Sequence, residues 1–338
     1  MKLKTLMWPV IGLSAVAFSL WLLVEELRTT SIDDIGASLA AIREPAWALS
    51  ALCALAAYAA LAAYDRLALK HLGRQVSWRF ITLTSFTAYA LSHNLGASVL
   101  SGAIVRYRAY STRGLSGAEV GVLVAFASFT FVLGSALLWG LVLVIEPATL
   151  RRFGEHLPVE ASTVTGILVL VLIALYVFGS WLQLRPLRLW RLTLAYPSLP
   201  IVLRQLLIGP VEILGAAGII YFALPDAGNP GFAVVVGVFL VSFSLALLSH
   251  APGGIGVLEF VFVAGLSDMR PADVLAALLV FRLFYLLIPL ALALVVVVGF
   301  ERRQLVRSLR SIRLRRARAD RRHRGRRTGR LETPPGEA

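Results

Sequence analysis

Charge and cysteine are both scarce in this 338-residue chain: 15% of its residues are charged and Cys53 is its single cysteine. A lone cysteine excludes an intramolecular disulfide, and a small apolar packing role accounts for it most simply. Acidic residues number only 19, against 33 basic ones. The sequence also has no HExxH, P-loop, GxSxG, cysteine cluster or dinucleotide fingerprint on a strand, so no signature of metal, nucleotide or serine-nucleophile chemistry is present. His93 and His250 by themselves make a poor metal site. No resident metal, cofactor or catalytic residue is expected, and an enzyme is disfavoured. The alternating ten-residue segments of a membrane barrel are missing as well.

Apolar residues are what the chain does have. They make up 58% of it, with a mean hydropathy of +0.78, which excludes an ordinary soluble domain. Lipid offers no backbone partners, so spanning segments must be helices, and roughly 20 residues cross about 30 Å of hydrocarbon. Six segments are long enough: 6–26, 45–65, 118–145, 163–184, 200–223 and 272–298. The first begins after Lys2 and Lys4, but its core is long and no small-residue cleavage site precedes Glu25-Glu26, so it reads as a retained helix. Residues 1–300 form the expected membrane domain. Residues 301–330 hold 14 arginines against Glu301 and Asp320. Directly after a membrane helix, such a tail (301–338) reads as a partly disordered cytoplasmic anchor to anionic lipid, with no specific nucleic acid as its partner.

Two further apolar stretches, 80–110 and 231–267, break in the same way. Leu91-Ser-His-Asn-Leu-Gly-Ala97 interrupts the first and Leu248-Ser-His-Ala-Pro-Gly-Gly254 the second. Each leads into Gly-Leu-Ser (114–116 and 265–267) and then Ala-Glu/Asp-Val (118–120 and 272–274). The legs Phe80 to Leu91 and Ile255 to Ser267 reach only about 20 Å as helices, so each stretch reads as a re-entrant hairpin. Full crossings by tilted or unwound legs are the alternative. The positive-inside rule favours the hairpins. It then places Arg66, Lys70, Arg74 and Arg79, Arg106, Arg108 and Arg113, Arg185, Arg188 and Arg191, the tail and both termini in the cytoplasm. The fold expected is all-α: a polytopic bundle with six spans and two broken-helix hairpins arranged as inverted repeats, an architecture of alternating access.

Ionisable groups within such segments are functional candidates by default. His93 and Asn94 stand at the first break with Gly96, and His250 at the second with Gly253 and Gly254. They would either cap broken helix ends or hold an anion on free N–H groups. Arg106 and Arg108 would hold a phosphate headgroup or simply anchor at the interface. Glu259 and Arg282 each need a partner, and pairing with each other is one solution. Glu212 follows Pro210, with Arg204 and Gln205 as candidate partners. Glu119 opens a helix and is most simply a favourable N-terminal charge.

The runs Leu91–Ser116 and Ser249–Glu259 resemble the YbhN-like branch of the lysylphosphatidylglycerol synthase/flippase transmembrane family, and the likeness extends over about 5–300. The resemblance implies a bacterial cytoplasmic (inner) membrane protein that translocates a lipid, without the soluble domain that makes the aminoacylated lipid in bifunctional members. A phospholipid or polyprenyl-phosphate lipid is the expected partner, and a homo-oligomer is compatible with the sequence. The alternatives are a non-transporting lipid-binding or accessory protein, and an ion-coupled transporter of small solutes.

Overall fold

The computed structural model describes residues 31–95, 98–154, 158–183, 187–189, 192–194, 197–249 and 252–300. The segment 6–26, Gly96, His250 and the Arg-rich tail lie outside them. The described chain is helical apart from a three-residue antiparallel pair, Leu187–Leu189 (β1) with Leu192–Leu194 (β2). A short helix α1, Ile32–Ala40, opens on a capping box in which the Ser31 hydroxyl accepts from the Asp34 N–H at 3.0 Å and Asp34 accepts from the Ser31 N–H at 3.1 Å. Helix α2 spans Glu44–His71, α5 Gly117–Ile145, α6 Val159–Trp181 and α7 Leu199–Ala223. Proline stands in the first turn of α2 and α7, where its missing N–H costs no helical bond. A second capping box, Ser116 with Glu119, starts α5, and Glu119 also accepts a 2.6 Å bond from Arg74.

Both broken stretches are helix pairs. The first comprises α3, Trp78–Leu95, and α4, Ser98–Ser111; the second comprises α8, Phe232–Ser249, and α9, Val257–Gly265, with a 3-10 turn at Pro252–Gly254 between them. The leg lengths differ from the sequence expectation. Helix α3 continues through His93 and Asn94 before it ends, and α8 runs 18 residues, about 27 Å of helix. Helix α8 is therefore long and apolar enough to cross a membrane, as are α2, α5, α6, α7 and the last helix over Pro271–Phe300. This last helix comprises α10, Pro271–Phe281, a π turn at Arg282–Leu287 and the residues that follow. The chain divides into units 1–291 and 292–338; the described part of the second, 292–300, is apolar helix.

Helix α7 is the most enclosed span. Pro210 lies inside it without ending it, and glycines bring its neighbours onto it. A Cβ built on Gly134 of α5 would fall 2.3 Å from the Gly209 carbonyl carbon. One on Gly215 would fall 2.7 Å from the Cys53 carbonyl oxygen of α2, and one on Gly218 would fall 2.8 Å from Cys53 Sγ. Cys53 thus packs against glycine. Such close backbone approach is how membrane helices gain dispersion contact where lipid supplies no hydrophobic drive between them.

The two broken pairs sit at opposite ends of α7. Leu67, Ile81, Tyr110, Leu123 and Ile201 share one apolar cluster, which joins the end of α2, the start of α3, the end of α4 and the starts of α5 and α7. Phe80 and Tyr110 pack edge to face at 6.0 Å, so α4 returns to where α3 began. Helices α8 and α9 likewise return on themselves, since Gly228 before α8 abuts the Asp268 carbonyl after α9. That pair follows the other end of α7, at Ala223.

Alanine should be tolerated or slightly stabilising at Gly121, which has open space around its Cβ position, and should destabilise at Gly134 by roughly 1–3 kcal/mol. Thermal unfolding of both variants in detergent checks this; equal midpoints would contradict the close α5–α7 crossing.

Candidate functional site where the helix breaks meet

A π turn carries i to i+5 bonds, so its carbonyls fall out of register with the helix on either side. At Arg282–Leu287 the Ile288 N–H bonds to the Leu283 carbonyl, and side chains from other helices donate to two further carbonyls of the turn. The Tyr58 hydroxyl of α2 donates to the Tyr285 carbonyl at 3.0 Å. Asn94, in the last turn of α3, donates to the Leu286 carbonyl at 3.3 Å and to Ala90 at 2.8 Å. The first break is therefore tied to this turn.

The second break reaches the same turn. Gly253, Gly254 and Gly256 have φ of +60°, +66° and +81°, a region open to glycine. This winding points the Gly253 carbonyl at Arg282, whose Nη1 donates to it at 3.2 Å. Arg282 also donates from Nε to Glu259 at 2.8 Å and from Nη2 to the same oxygen. The other Glu259 oxygen accepts from the Gly256 N–H at 2.8 Å and so caps α9. The Glu259–Arg282 pair is thus formed, and it fastens the glycine turn to the last helix. Helix α3 also packs against the Pro252–Gly254 turn.

Tyr285 occupies the middle of this convergence, 1% exposed. Its hydroxyl donates to Glu212 of α7. Its ring stacks on His93 at 5.0 Å and on Phe281 at 5.0 Å. His93 is flanked by Tyr89 at 5.8 Å. His93, Asn94, Glu212, Gly253, Glu259 and Arg282 therefore gather at one place. The partners expected for Glu212 do not reach it: Arg204 is exposed, and Gln205 donates to Thr130 at 2.9 Å and accepts from Tyr176 at 3.3 Å.

Arg106 stands apart, in an ion pair. It donates from Nε to both Asp65 oxygens at 3.1 Å and from Nη2 to one of them at 3.0 Å, and Tyr110 completes the carboxylate at 3.0 Å. Both members are buried, Arg106 at 4% exposure and Asp65 at 0%. Gly102 permits this: a Cβ there would meet Ser92 Oγ at 2.6 Å and Arg106 Nη1 at 3.0 Å. Arg106 is not an interfacial anchor, whereas Tyr107 and Arg108 are exposed. The guanidinium lies 4.4 Å from the Tyr89 ring centroid, so Tyr89 spans from this pair to His93.

The sequence reading missed Asp65 and the tyrosines 58, 89, 110 and 285. Asp65 closes the apolar segment 45–65 and looked like its boundary. Arg106 and Tyr110 are one helical turn apart on one face of α4, a spacing that asks for a common acidic partner. Tyrosine in an apolar helix carries no such signal.

A sequence profile described as the lysylphosphatidylglycerol synthase TM region matches residues 10–293. The inner membrane protein YbhN of Escherichia coli is 36% identical over 237 residues, covering 68% of this chain and 72% of that protein. The uncharacterized protein slr0712 of Synechocystis is 30% identical over 242 residues, covering 70% and 74%. A phosphatidylglycerol lysyltransferase of Staphylococcus haemolyticus is 33% identical over 92 residues, 26% of this chain and 11% of that enzyme.

Removing one member of a buried ion pair strands the other, at a cost of about 3–5 kcal/mol, whereas apolar replacement of both is often tolerated. Asp65→Ala alone should lower the unfolding midpoint well below that of Asp65→Ala combined with Arg106→Met. A double variant no more stable than the single one would contradict the pairing.

Proposed function

Because the chain belongs to the lysylphosphatidylglycerol synthase transmembrane-region family, as does the inner membrane protein YbhN, we propose that this integral membrane protein translocates a phosphate-headgroup lipid by alternating access. The observation that carries this reading is the convergence of both helix breaks on one π turn. In this reading the α3–α4 and α8–α9 pairs are re-entrant hairpins of inverted repeats, entering from opposite faces and meeting near the midplane. Polar backbone is tolerated at that depth only where protein or a cavity surrounds it, and broken helices in matching repeats are where transporters bind substrate.

Arginines already satisfied by carboxylates, Arg106 buried and Arg282 half-buried, do not rest as open anion traps. A headgroup phosphate would enter by exchange, taking Arg282 from Glu259 or Arg106 from Asp65 as the hairpins part. Guanidinium suits this exchange because carboxylate and phosphate match its donor geometry equally. A surface cavity of about 500 Å³ between α2 and α3, lined by Arg66, Lys70, Arg74 and Trp78, would gather the headgroup first. The Arg66 guanidinium lies 4.8 Å from the Trp78 ring centroid, an amphipathic pairing suited to the headgroup layer. The relatives named phosphatidylglycerol lysyltransferase favour an anionic glycerophospholipid as the class. The cytoplasmic membrane, with both termini and the Arg-rich tail on the cytoplasmic side, is the location this reading takes.

Movement of headgroup-labelled phosphatidylglycerol between leaflets of proteoliposomes tests the proposal. The intact protein should move the lipid, and folded Arg282→Ala should slow it at least tenfold. No movement by the intact protein for anionic, zwitterionic or polyprenyl-phosphate lipids, with or without an imposed ion gradient, would leave a lipid-binding or accessory role instead.

A further inference from the structure

Five carboxylates in the described helices sit within reach of the hydrophobic interior or its edge, and four of them face arginine. Asp65 faces Arg106, Glu259 faces Arg282, Glu119 faces Arg74 and Asp273 faces Arg270. Glu212 does not. Among the described residues, no basic nitrogen lies within ion-pair distance of it, although it is 2% exposed. One of its oxygens accepts from the Tyr285 hydroxyl, and Oε2 is buried with no hydrogen-bond partner.

Among the described residues the nearest charges are already taken: Arg282, in the same turn as Tyr285, donates to Glu259 and to the Gly253 carbonyl. Helix α2 presents Tyr58 and Tyr64, but both hydroxyls donate to carbonyls, of Tyr285 at 3.0 Å and Gly209 at 2.8 Å. The last helix presents Tyr285, already the donor to Glu212. Helix α8 contains no titratable residue, and α5 none beyond Glu119 in its first turn. On α6, Tyr176 donates to Gln205 and Glu160 lies in the first turn. His93 and Tyr89 of α3 lie beyond the Tyr285 ring, and His93 Nδ1 is itself buried without a partner. An ionised carboxylate enclosed in this way would bear its full desolvation cost. A proton resolves this with the atoms present: it converts Oε2 to a hydroxyl and leaves the other oxygen accepting from Tyr285. A metal cation has less to hold it, since no group of three or more histidine, cysteine or acidic side chains assembles among the described residues.

We propose that Glu212 is a proton-binding site that couples movement of the bundle to proton exchange with water. In the closed arrangement the side chain is a neutral acid. When the helices around Tyr285 part and water enters, the acid gives its proton to water, leaving carboxylate and hydronium; closure requires the carboxylate to take a proton back. The tie to Tyr285 places this exchange at the turn where both helix breaks meet, so proton release accompanies opening. Coupling to lipid movement rests on the translocase reading, whereas the proton site does not.

The test uses the full chain in proteoliposomes. Infrared spectroscopy at neutral pH should show a protonated-carboxyl C=O band that Glu212→Gln removes; the amide still accepts from Tyr285, which keeps the fold. No difference between the two proteins in that band would overturn the proton site. In the same vesicles, an imposed pH gradient should change the rate of labelled-lipid movement in the intact protein several-fold, with the response lost in Glu212→Gln and restored in Glu212→Asp. Movement that ignores the gradient in the intact protein would overturn the coupling. Absence of all lipid movement would remove the translocase reading and the coupling together while the infrared band decides the proton site alone.

Discussion

Backbone carbonyls inside a membrane protein have no water to turn to, and two carbonyls of the π turn at Arg282–Leu287 take donors from other helices. The surrounding architecture answers that constraint. Tyr58 reaches across from α2 to one carbonyl and Asn94 from α3 to the other, while Arg282 returns a donor to the carbonyl of Gly253. These bonds draw four separate parts of the chain to one point. Tyr285, within the turn, also reaches α7, where Glu212 accepts from its hydroxyl.

Charge is handled differently on either side of this point. Asp65 with Arg106, and Glu259 with Arg282, are closed pairs with further donors completing each carboxylate. Their net charge is zero, and they lock α4 to α2 and the glycine turn to the last helix. Glu212 is locked by a neutral hydroxyl alone. An assembly made only of closed pairs would be rigid, whereas one carboxyl whose charge depends on hydration gives the bundle two states of different cost. Glycine-lined crossings of α7 with α5 and α2 supply the stiff frame against which the breaks would move.

Much of this was legible in the sequence, and the limits have physical causes. The all-helical bundle followed from hydropathy and length, and the two breaks from Ser-His-x and glycine clusters in apolar runs. Pairing of Glu259 with Arg282 followed from the cost of either alone in lipid, but the choice of partner needed the fold. The same logic applied to Glu212 gave Arg204 and Gln205, because sequence neighbours were the only geometry available; its bonded partner is Tyr285, 73 residues away. Arg106 looked interfacial because it neighbours Tyr107 and Arg108, yet helical rotation turns it inward and leaves the other two exposed. The π turn itself has no signature: Arg-Leu-Phe-Tyr-Leu-Leu reads as ordinary apolar helix.

The central claim is that the two breaks part at the π turn for a lipid to pass. Cross-linking residue 94 to residue 286 with a short bifunctional thiol reagent tests it, using cysteines placed at both positions in a chain with Cys53→Ala. The account predicts that the tethered protein stays folded and stops moving labelled phospholipid, while each single-cysteine control treated with the reagent continues to move it. Undiminished lipid movement in the fully tethered protein would contradict it.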